Sequence, residues 1–233
     1  MLDVDKGNGA AGRLSDDNIL PLVFRHLGKL IFLTAIAALV LAVVLRNTVN
    51  LPFAYFMRDP IQTADLRPFA GFISQLGIMA WTASSAIAML GAALVSRFDT
   101  EPHRVRFLLL FGVLTATLAA DDTFIIHESV PFSEFLLFAF YGASLFAIVY
   151  FSARILIAHH GWLLLLAVLA LGGSVLVDQL QHSLEPILGD WRIFVEDGLK
   201  LLGAFLWLVF IWNAACSIVL SLLSDASPRV RSS

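Results

Sequence analysis

WRIFVEDGLKLLGAFLWLVFIWNAACSIVLSLL, residues 191–223, joins a charged beginning to a long apolar run. Its charged residues are Arg192, Glu196, Asp197 and Lys200, and the 23 residues after Lys200 carry no charge. About 20 apolar residues are enough for a helix to cross the ~30 Å hydrocarbon core of a bilayer. The stretch therefore predicts a transmembrane helix with ionisable groups near its first end.

The rest of the chain has the same character. Of its 233 residues, 59% are hydrophobic and 14% are charged, whereas soluble domains carry about 25% charged residues. Apolar runs between charged and Pro/Gly breaks predict an all-α polytopic membrane protein with a bundle of about six transmembrane helices. The predicted helices span residues 27–46, 69–96, 106–128, 133–156, 162–185 and 191–223.

The predicted domain organisation is simple. One transmembrane domain covers residues 27–223, between a polar flexible N-terminal tail at 1–26 and a polar tail at 224–233. The first residues lack the basic segment and apolar core of a cleavable signal peptide. Cys216 is the only cysteine, which excludes an intrachain disulfide or a cysteine metal cage. The net charge of -3, without a basic run, argues against nucleic acid as a partner. The oligomeric state stays open.

Orientation follows from the distribution of lysine and arginine, because positively charged loops are retained in the cytoplasm. With six spans, ten such residues flank the side that holds both termini, and four flank the other side. The sequence therefore predicts a multi-pass protein of the plasma or inner cell membrane with both termini cytoplasmic.

Ionisable residues concentrate where three predicted helices reach the outer face. The third helix supplies Asp121, Asp122, His127 and Glu128; the fifth supplies Asp178, His182 and Glu185; the sixth supplies Glu196, Asp197 and Lys200. Ionisable groups at membrane depth are expensive, so they indicate a functional site by default. These three clusters predict one acidic, histidine-containing pocket.

Helical geometry sorts the members of this pocket, because each residue rotates the side chain by about 100°. Asp121 and Glu128 share a face. A second polar stripe runs through Ser174, Asp178, His182 and Glu185, and a third through Glu196, Lys200 and Gly203. Gly203 is expected to let a neighbouring backbone approach closely. The remaining candidates, Asp122, His127 and Asp197, are rotated away from the stripes and are secondary.

The charges of these clusters do not balance. Seven carboxylates face only Lys200 and Arg192 as permanent cations, which leaves about five negative charges uncompensated. An unpaired buried ion carries a penalty of several kcal/mol. Bound metal, protonated carboxylates or exposure to water are the three ways to resolve the imbalance.

The leading hypothesis is a metal-dependent membrane hydrolase that acts on a lipid or a peptide. The candidate ligands are Asp121, Glu128, Asp178, His182 and Glu185. Histidine with two or three carboxylates suits zinc, manganese or iron. Metal-bound water loses a proton near neutral pH, Glu196 is the candidate general acid or base, and Lys200 the candidate stabiliser of an oxyanion.

Two alternatives come from other classes. A proton- or cation-coupled transporter or channel would use the carboxylates and histidines as a relay. Against it, the sixth helix has only Asn213 and Ser217 as polar residues between Lys200 and position 220. A non-catalytic accessory membrane subunit would use the charged end to dock a partner.

Overall fold

The computed structural model describes residues 70–98, 102–126, 134–158, 160–189 and 191–226, with shorter pieces between 33 and 66. All its regular elements are α-helices, and the described part contains no strand. They are α1 (Phe72–Phe98), α2 (Pro102–Phe124), α3 (Glu134–Phe151), α4 (Ala153–Ala158), α5 (Gly161–Gln179), α6 (Gln181–Leu188) and α7 (Trp191–Ala226). The all-helical prediction is confirmed for this part of the chain.

Four described helices are long and apolar enough to cross a bilayer: Phe72–Arg97, Pro102–Phe124, Gly161–Gln179 and Trp191–Ser221. The apolar stretch of α3, Leu136–Phe151, is shorter. Many large apolar side chains on these helices are exposed, as a lipid environment requires. The described residues between 33 and 49 are helical, while the rest of the predicted first span lies outside the described residues.

Two helices that the sequence predicted as continuous are broken. The predicted fourth helix divides at Ser152 into α3 and α4, and the predicted fifth divides at Leu180 into α5 and α6. No proline or glycine stands at either break, so hydropathy did not reveal them. Pro186, predicted to end a helix, lies inside the short helix α6. The helix ends instead at Gly189, whose φ of 51° favours glycine.

The main packing unit consists of α1, α2, α5 and α7. Helix α7 lies against both α1 and α5, and α1 lies against α2. Ala88 and Ala92 of α1 are fully buried. These small residues let the helices approach closely.

An aromatic cluster fills the middle of this unit. The ring centroid of Trp207 lies 4.7 Å from that of Phe111 and 5.5 Å from that of Trp81. The centroids of Phe111 and Phe210 are 5.4 Å apart. The Trp207 indole N–H donates a 3.0 Å hydrogen bond to the Thr115 hydroxyl, so the only polar atom of the buried ring is satisfied. The centre of the bundle is therefore closed by packed rings.

Gly203 confirms the close approach that the sequence predicts. A Cβ at this position would lie 2.6 Å from Cγ of Leu171 and 3.1 Å from the carbonyl oxygen of Ala167. Both of these residues belong to α5, so α5 and α7 are in near backbone contact here. This contact brings the end of α5 beside the beginning of α7 and positions the charged residues of both helices.

Helix α3 is attached differently. Within the described part of the chain it packs on α2 and α4, and it has hardly any contact with α5 or α7. Helix α4 turns the chain back toward α5, with Leu156 buried and its carbonyl oxygen against Gly161. A Cβ at Gly161 would lie 2.8 Å from that oxygen, so only glycine fits. Among the described residues, a gap therefore separates α3 from α5 above this turn.

Candidate functional site

A cleft of about 1020 Å³ opens at the end of the bundle where α2 and α5 finish and α7 begins. Its polar lining comes from the three helix ends and α6: Asp121, Asp122, Ser174, Asp178, Gln179, Gln181, His182, Glu196, Asp197 and Lys200. Its apolar lining comes mainly from deeper in the bundle and from α3: Trp81, Leu114, Leu118, Phe138, Leu145, Val168, Leu171, Val175 and Trp207. The cleft is thus polar at one end and apolar at the other.

The structure brings seven of the ten candidate residues to this one lining, three of them from α7 and four from α2, α5 and α6. Glu185 does not line the cleft. His127 and Glu128 lie outside the described residues. The helix ends that the sequence assigned to one side therefore meet, although the roles assigned to their side chains stay predictions.

Lys200 forms an ion pair with Asp122 of α2. The sequence placed Lys200 on one stripe with Glu196, one turn earlier on the same helix, and treated Asp122 as a secondary candidate. The side chain of Asp122 is only 9% exposed, whereas that of Lys200 is 40% exposed. The carboxylate of Asp122 is more buried than that of Glu196, so water screens its charge less and it attracts the ammonium of Lys200 more strongly.

The second carboxylate oxygen of Asp122 has no hydrogen-bond partner among the described residues. Gly77 of α1 leaves room beside it, since a Cβ there would lie 3.9 Å from this oxygen. An unsatisfied buried acceptor carries a penalty of about 1–3 kcal/mol. Because this oxygen is closed off from solvent, the ion pair of the other oxygen with Lys200 is what offsets the charge of the carboxylate.

Glu196 is bound by Arg192, which lies one turn earlier on α7. Asp178 and Asp197 are near enough to Glu196 to repel its negative charge. Asp197 itself is exposed. The negative charge of the cleft therefore concentrates where α5 and α7 meet, and Arg192 offsets part of it.

Asp121 is the most buried carboxylate of the cleft, at 5% exposure. Tyr141, on α3, lies beside Asp121. Sequence analysis did not identify Tyr141. A tyrosine inside the apolar run FAFYGASLF was the available signal, because a buried phenol needs a polar partner.

Asp178 and His182 flank the break at Leu180, one in α5 and the other in α6. Both line the cleft. Within the described part of the chain, neither side chain takes part in a hydrogen bond or an ion pair, unlike Asp122, Glu196 and Lys200. These two side chains are therefore available to a ligand or to proton transfer.

The described residues include no group of three or more His, Cys, Asp or Glu side chains arranged to hold a metal ion. Of the five predicted ligands, Asp121, Asp178 and His182 line the cleft. Asp121 is engaged with Tyr141. The described geometry therefore offers Asp178 and His182 as the two most accessible candidate ligands.

The fold and this cleft define an all-helical membrane protein with a charged, partly apolar cleft at one end of its bundle. The chain belongs to a family described as a domain of unknown function (DUF8692), whose model matches residues 30–214. The match spans all the described helices up to the middle of α7, including every residue of the cleft lining. No curated protein and no solved structure matches the chain.

Proposed function

We propose that the protein is a membrane-embedded hydrolase that binds an amphiphilic lipid in its cleft. The main support is that carboxylates from three sequence-distant helix ends line one cleft together with a continuous set of apolar side chains. Convergent polar groups above an apolar surface are typical of small-molecule sites. A lipid suits this lining better than a peptide, because the backbone amides of a peptide would lack partners along the apolar part.

In this proposal Asp178 and His182 position the attacking water, and Glu196 is the general base. Glu196 removes a proton while the water oxygen attacks the carbonyl carbon of a lipid ester. The bond from that carbon to the leaving oxygen then breaks, and the proton passes from Glu196 to the leaving alcohol. Lys200, which Asp122 holds in place, supplies positive charge near the developing oxyanion. Arg192 restrains the side chain of Glu196.

A divalent metal ion is the cofactor in this proposal, with zinc, manganese or iron as the candidates. Asp178 and His182 would be two of its ligands, with Glu128 as the proposed third. The chemistry it would supply is a hydroxide-like nucleophile near neutral pH. Among the described residues, five carboxylates and one ammonium line the cleft, so a bound cation would offset excess negative charge.

The proposed topology has six spans, with both termini in the cytoplasm and the cleft at the outer face of the cell membrane. Arg104, near the beginning of α2, donates a 3.3 Å hydrogen bond to Ser221, near the end of α7. The beginning of α2 and the end of α7 therefore share the end of the bundle opposite the cleft. Arg97, Arg104 and Arg106 all belong to that end, which the distribution of positive charge assigns to the cytoplasm.

A transporter or channel for protons or cations is the second candidate, and the packing favours it less. The aromatic cluster around Trp207 and Phe111 is fully buried and closes the middle of the bundle beneath the cleft. A transport path would need polar groups on both sides of that barrier. A docking subunit would use the charged end to bind a partner, so neutral replacements there would not remove a bound metal ion, which separates it from the proposed hydrolase.

Metal content tests the proposed cofactor. Wild-type protein is purified in detergent without chelator and incubated with the candidate metals. Elemental analysis is then expected to give about one metal ion per chain, as one site of this ligand type would bind. His182→Ala and Asp178→Ala are expected to lose it, because each removes a ligand. Glu185→Gln, which changes a carboxylate that does not line the cleft, is expected to keep it. Wild-type metal content in the His182 and Asp178 variants would contradict the proposed ligand set.

Hydrolysis tests the proposed reaction. Purified protein in nanodiscs of defined ester lipids is expected to release fatty acid or head group, detected by mass spectrometry. Asp178→Asn should lower the rate by about 10²-fold or more, because the amide no longer helps to activate the attacking water. Because the amide keeps the shape of the side chain, binding should change much less than the rate. Equal rates for wild type and Asp178→Asn would contradict the assignment of Asp178.

A further inference from the structure

The cleft is too large for a metal ion or a few waters alone. Its volume of about 1020 Å³ lies at the upper end of the range of about 300–1,000 Å³ for pockets that hold whole organic ligands. Its polar and apolar halves are continuous, since both belong to one cavity. The occupant must therefore have a polar end and an apolar part of considerable length.

The gap between α3 and α5 provides a way in from the bilayer. Gly142 of α3 and Gly172 of α5 both line the cleft, and a Cβ at either glycine would meet no atom within 4 Å. Both glycines belong to apolar helices. Exposed side chains on the same helices, including Phe146 and Leu169, are apolar. Within the described part of the chain, apolar side chains flank this gap, so it faces hydrocarbon rather than water.

The charge of the lining selects the head group. Among the described residues, five carboxylates and one ammonium line the cleft, so this lining keeps excess negative charge even with one divalent cation bound. The ammonium of Lys200 is paired with Asp122, while Asp178 has no ion-pair partner in the described part of the chain. A protonated amine suits this lining, because it supplies positive charge and up to three N–H donors to carboxylate oxygens.

From these observations we propose that the cleft binds an amphiphile with a protonated amine head group, and that its hydrocarbon chain enters between α3 and α5 past Gly142 and Gly172. The amine lies among the carboxylates of α2, α5 and α7, and the chain lies along the apolar lining. This inference rests on the proposed amphiphile site and names its ligand class. It does not require that the bound molecule is hydrolysed.

Two probes with the same chain test this proposal. They are hexadecylamine and palmitic acid, each with a photoreactive diazirine in the chain, offered to the full-length protein in phosphatidylcholine nanodiscs. Mass spectrometry of the photolysed protein then locates the adducts. The amine is expected to label peptides of α3 and α5 at least about tenfold more than the acid, which corresponds to ~1.4 kcal/mol of binding free energy.

Blocking the gap is the matched test. Gly172→Trp fills space at the proposed entry, and Gly142→Phe fills it from the opposite wall. If one variant misfolds, the other still tests the entry route. Both are expected to reduce labelling by the amine about tenfold or more. Gly198→Trp is the control, because Gly198 also has nothing within 4 Å of its Cβ position but does not line the cleft. Size-exclusion elution and helical content confirm the folding of each variant.

The outcomes separate this inference from the hydrolase proposal. Undiminished labelling of both blocked variants would overturn the entry route, and equal labelling by the acid would overturn the amine specificity. Specific labelling by the amine without hydrolysis of any lipid supports the inference and contradicts the hydrolase. Hydrolysis that depends on Asp178, without specific labelling by the amine, supports the hydrolase and contradicts the inference.

Discussion

Replacing Lys200 with methionine is expected to lower the free energy of unfolding by roughly 3 kcal/mol, the lower end of the range for breaking a buried ion pair. The substitution leaves the Asp122 carboxylate, which is only 9% exposed, without its cation. The lower end applies because the Lys200 side chain is 40% exposed and water already screens part of the attraction. Reversible denaturant titration in detergent micelles measures the change.

A second substitution distinguishes the ion pair from the packing of the lysine chain. Adding Asp122→Asn to Lys200→Met removes the orphaned charge, so the double variant is expected to recover more than half of the loss. Arg192→Met is the control, because it breaks a pair between neighbouring turns of one helix and is expected to change stability by less than about 1 kcal/mol. If Lys200→Met and Arg192→Met have the same small effect, the ion pair between helices does not stabilise the bundle.

Gly203→Ala is expected to lower the free energy of unfolding by about 1–3 kcal/mol, the usual effect of overpacking a tight interface. The added methyl would lie 2.6 Å from Leu171 and 3.1 Å from the carbonyl oxygen of Ala167. The leucine side chain can move, but the backbone carbonyl can yield only if α5 shifts away from α7. Because that shift also moves Asp178 relative to Glu196, metal content and lipid binding should weaken together with stability.

Gly198→Ala is the matched control on the same helix, five residues earlier. Its Cβ would meet nothing within 4 Å. Alanine also favours a helix over glycine by up to about 1 kcal/mol, so this variant should be neutral or slightly stabilised. Leu171→Ala combined with Gly203→Ala should restore part of the lost stability, since it removes the nearer clash. Equal stabilities for Gly198→Ala and Gly203→Ala would show that the two helices are not in tight contact.

The cleft illustrates how far a pattern of charges can be interpreted without a structure. Asp121, Asp178 and Glu196 come from three separate segments, yet each was expected where its helix reaches the same face of the membrane, and all three line one cavity. Ionisable groups avoid the hydrocarbon centre, so they collect at helix ends. This pattern did not extend to Tyr141, since a single tyrosine in an apolar helix carries no periodic signal.

Helix continuity was harder to predict. The polar stripe through Asp178, His182 and Glu185 assumed one uninterrupted helix, but the break at Leu180 assigns His182 and Glu185 to α6. His182 lines the cleft and Glu185 does not. A rotation of 100° per residue holds only while the helix is regular, so one irregular turn changes which side chains share a face.

The sequence by itself determined that this chain is an all-helical membrane protein whose charges gather at particular helix ends. A bilayer demands about 20 apolar residues per spanning helix and penalises charge at its centre, and both requirements are local properties of the chain. Only the tertiary structure decided that Lys200 pairs with Asp122, that Tyr141 meets Asp121 and that α3 stands apart from α5. Those relations depend on how each helix is rotated, tilted and broken relative to its neighbours. Packing at positions such as Gly203 sets that arrangement, and the hydropathy of a single helix does not record it.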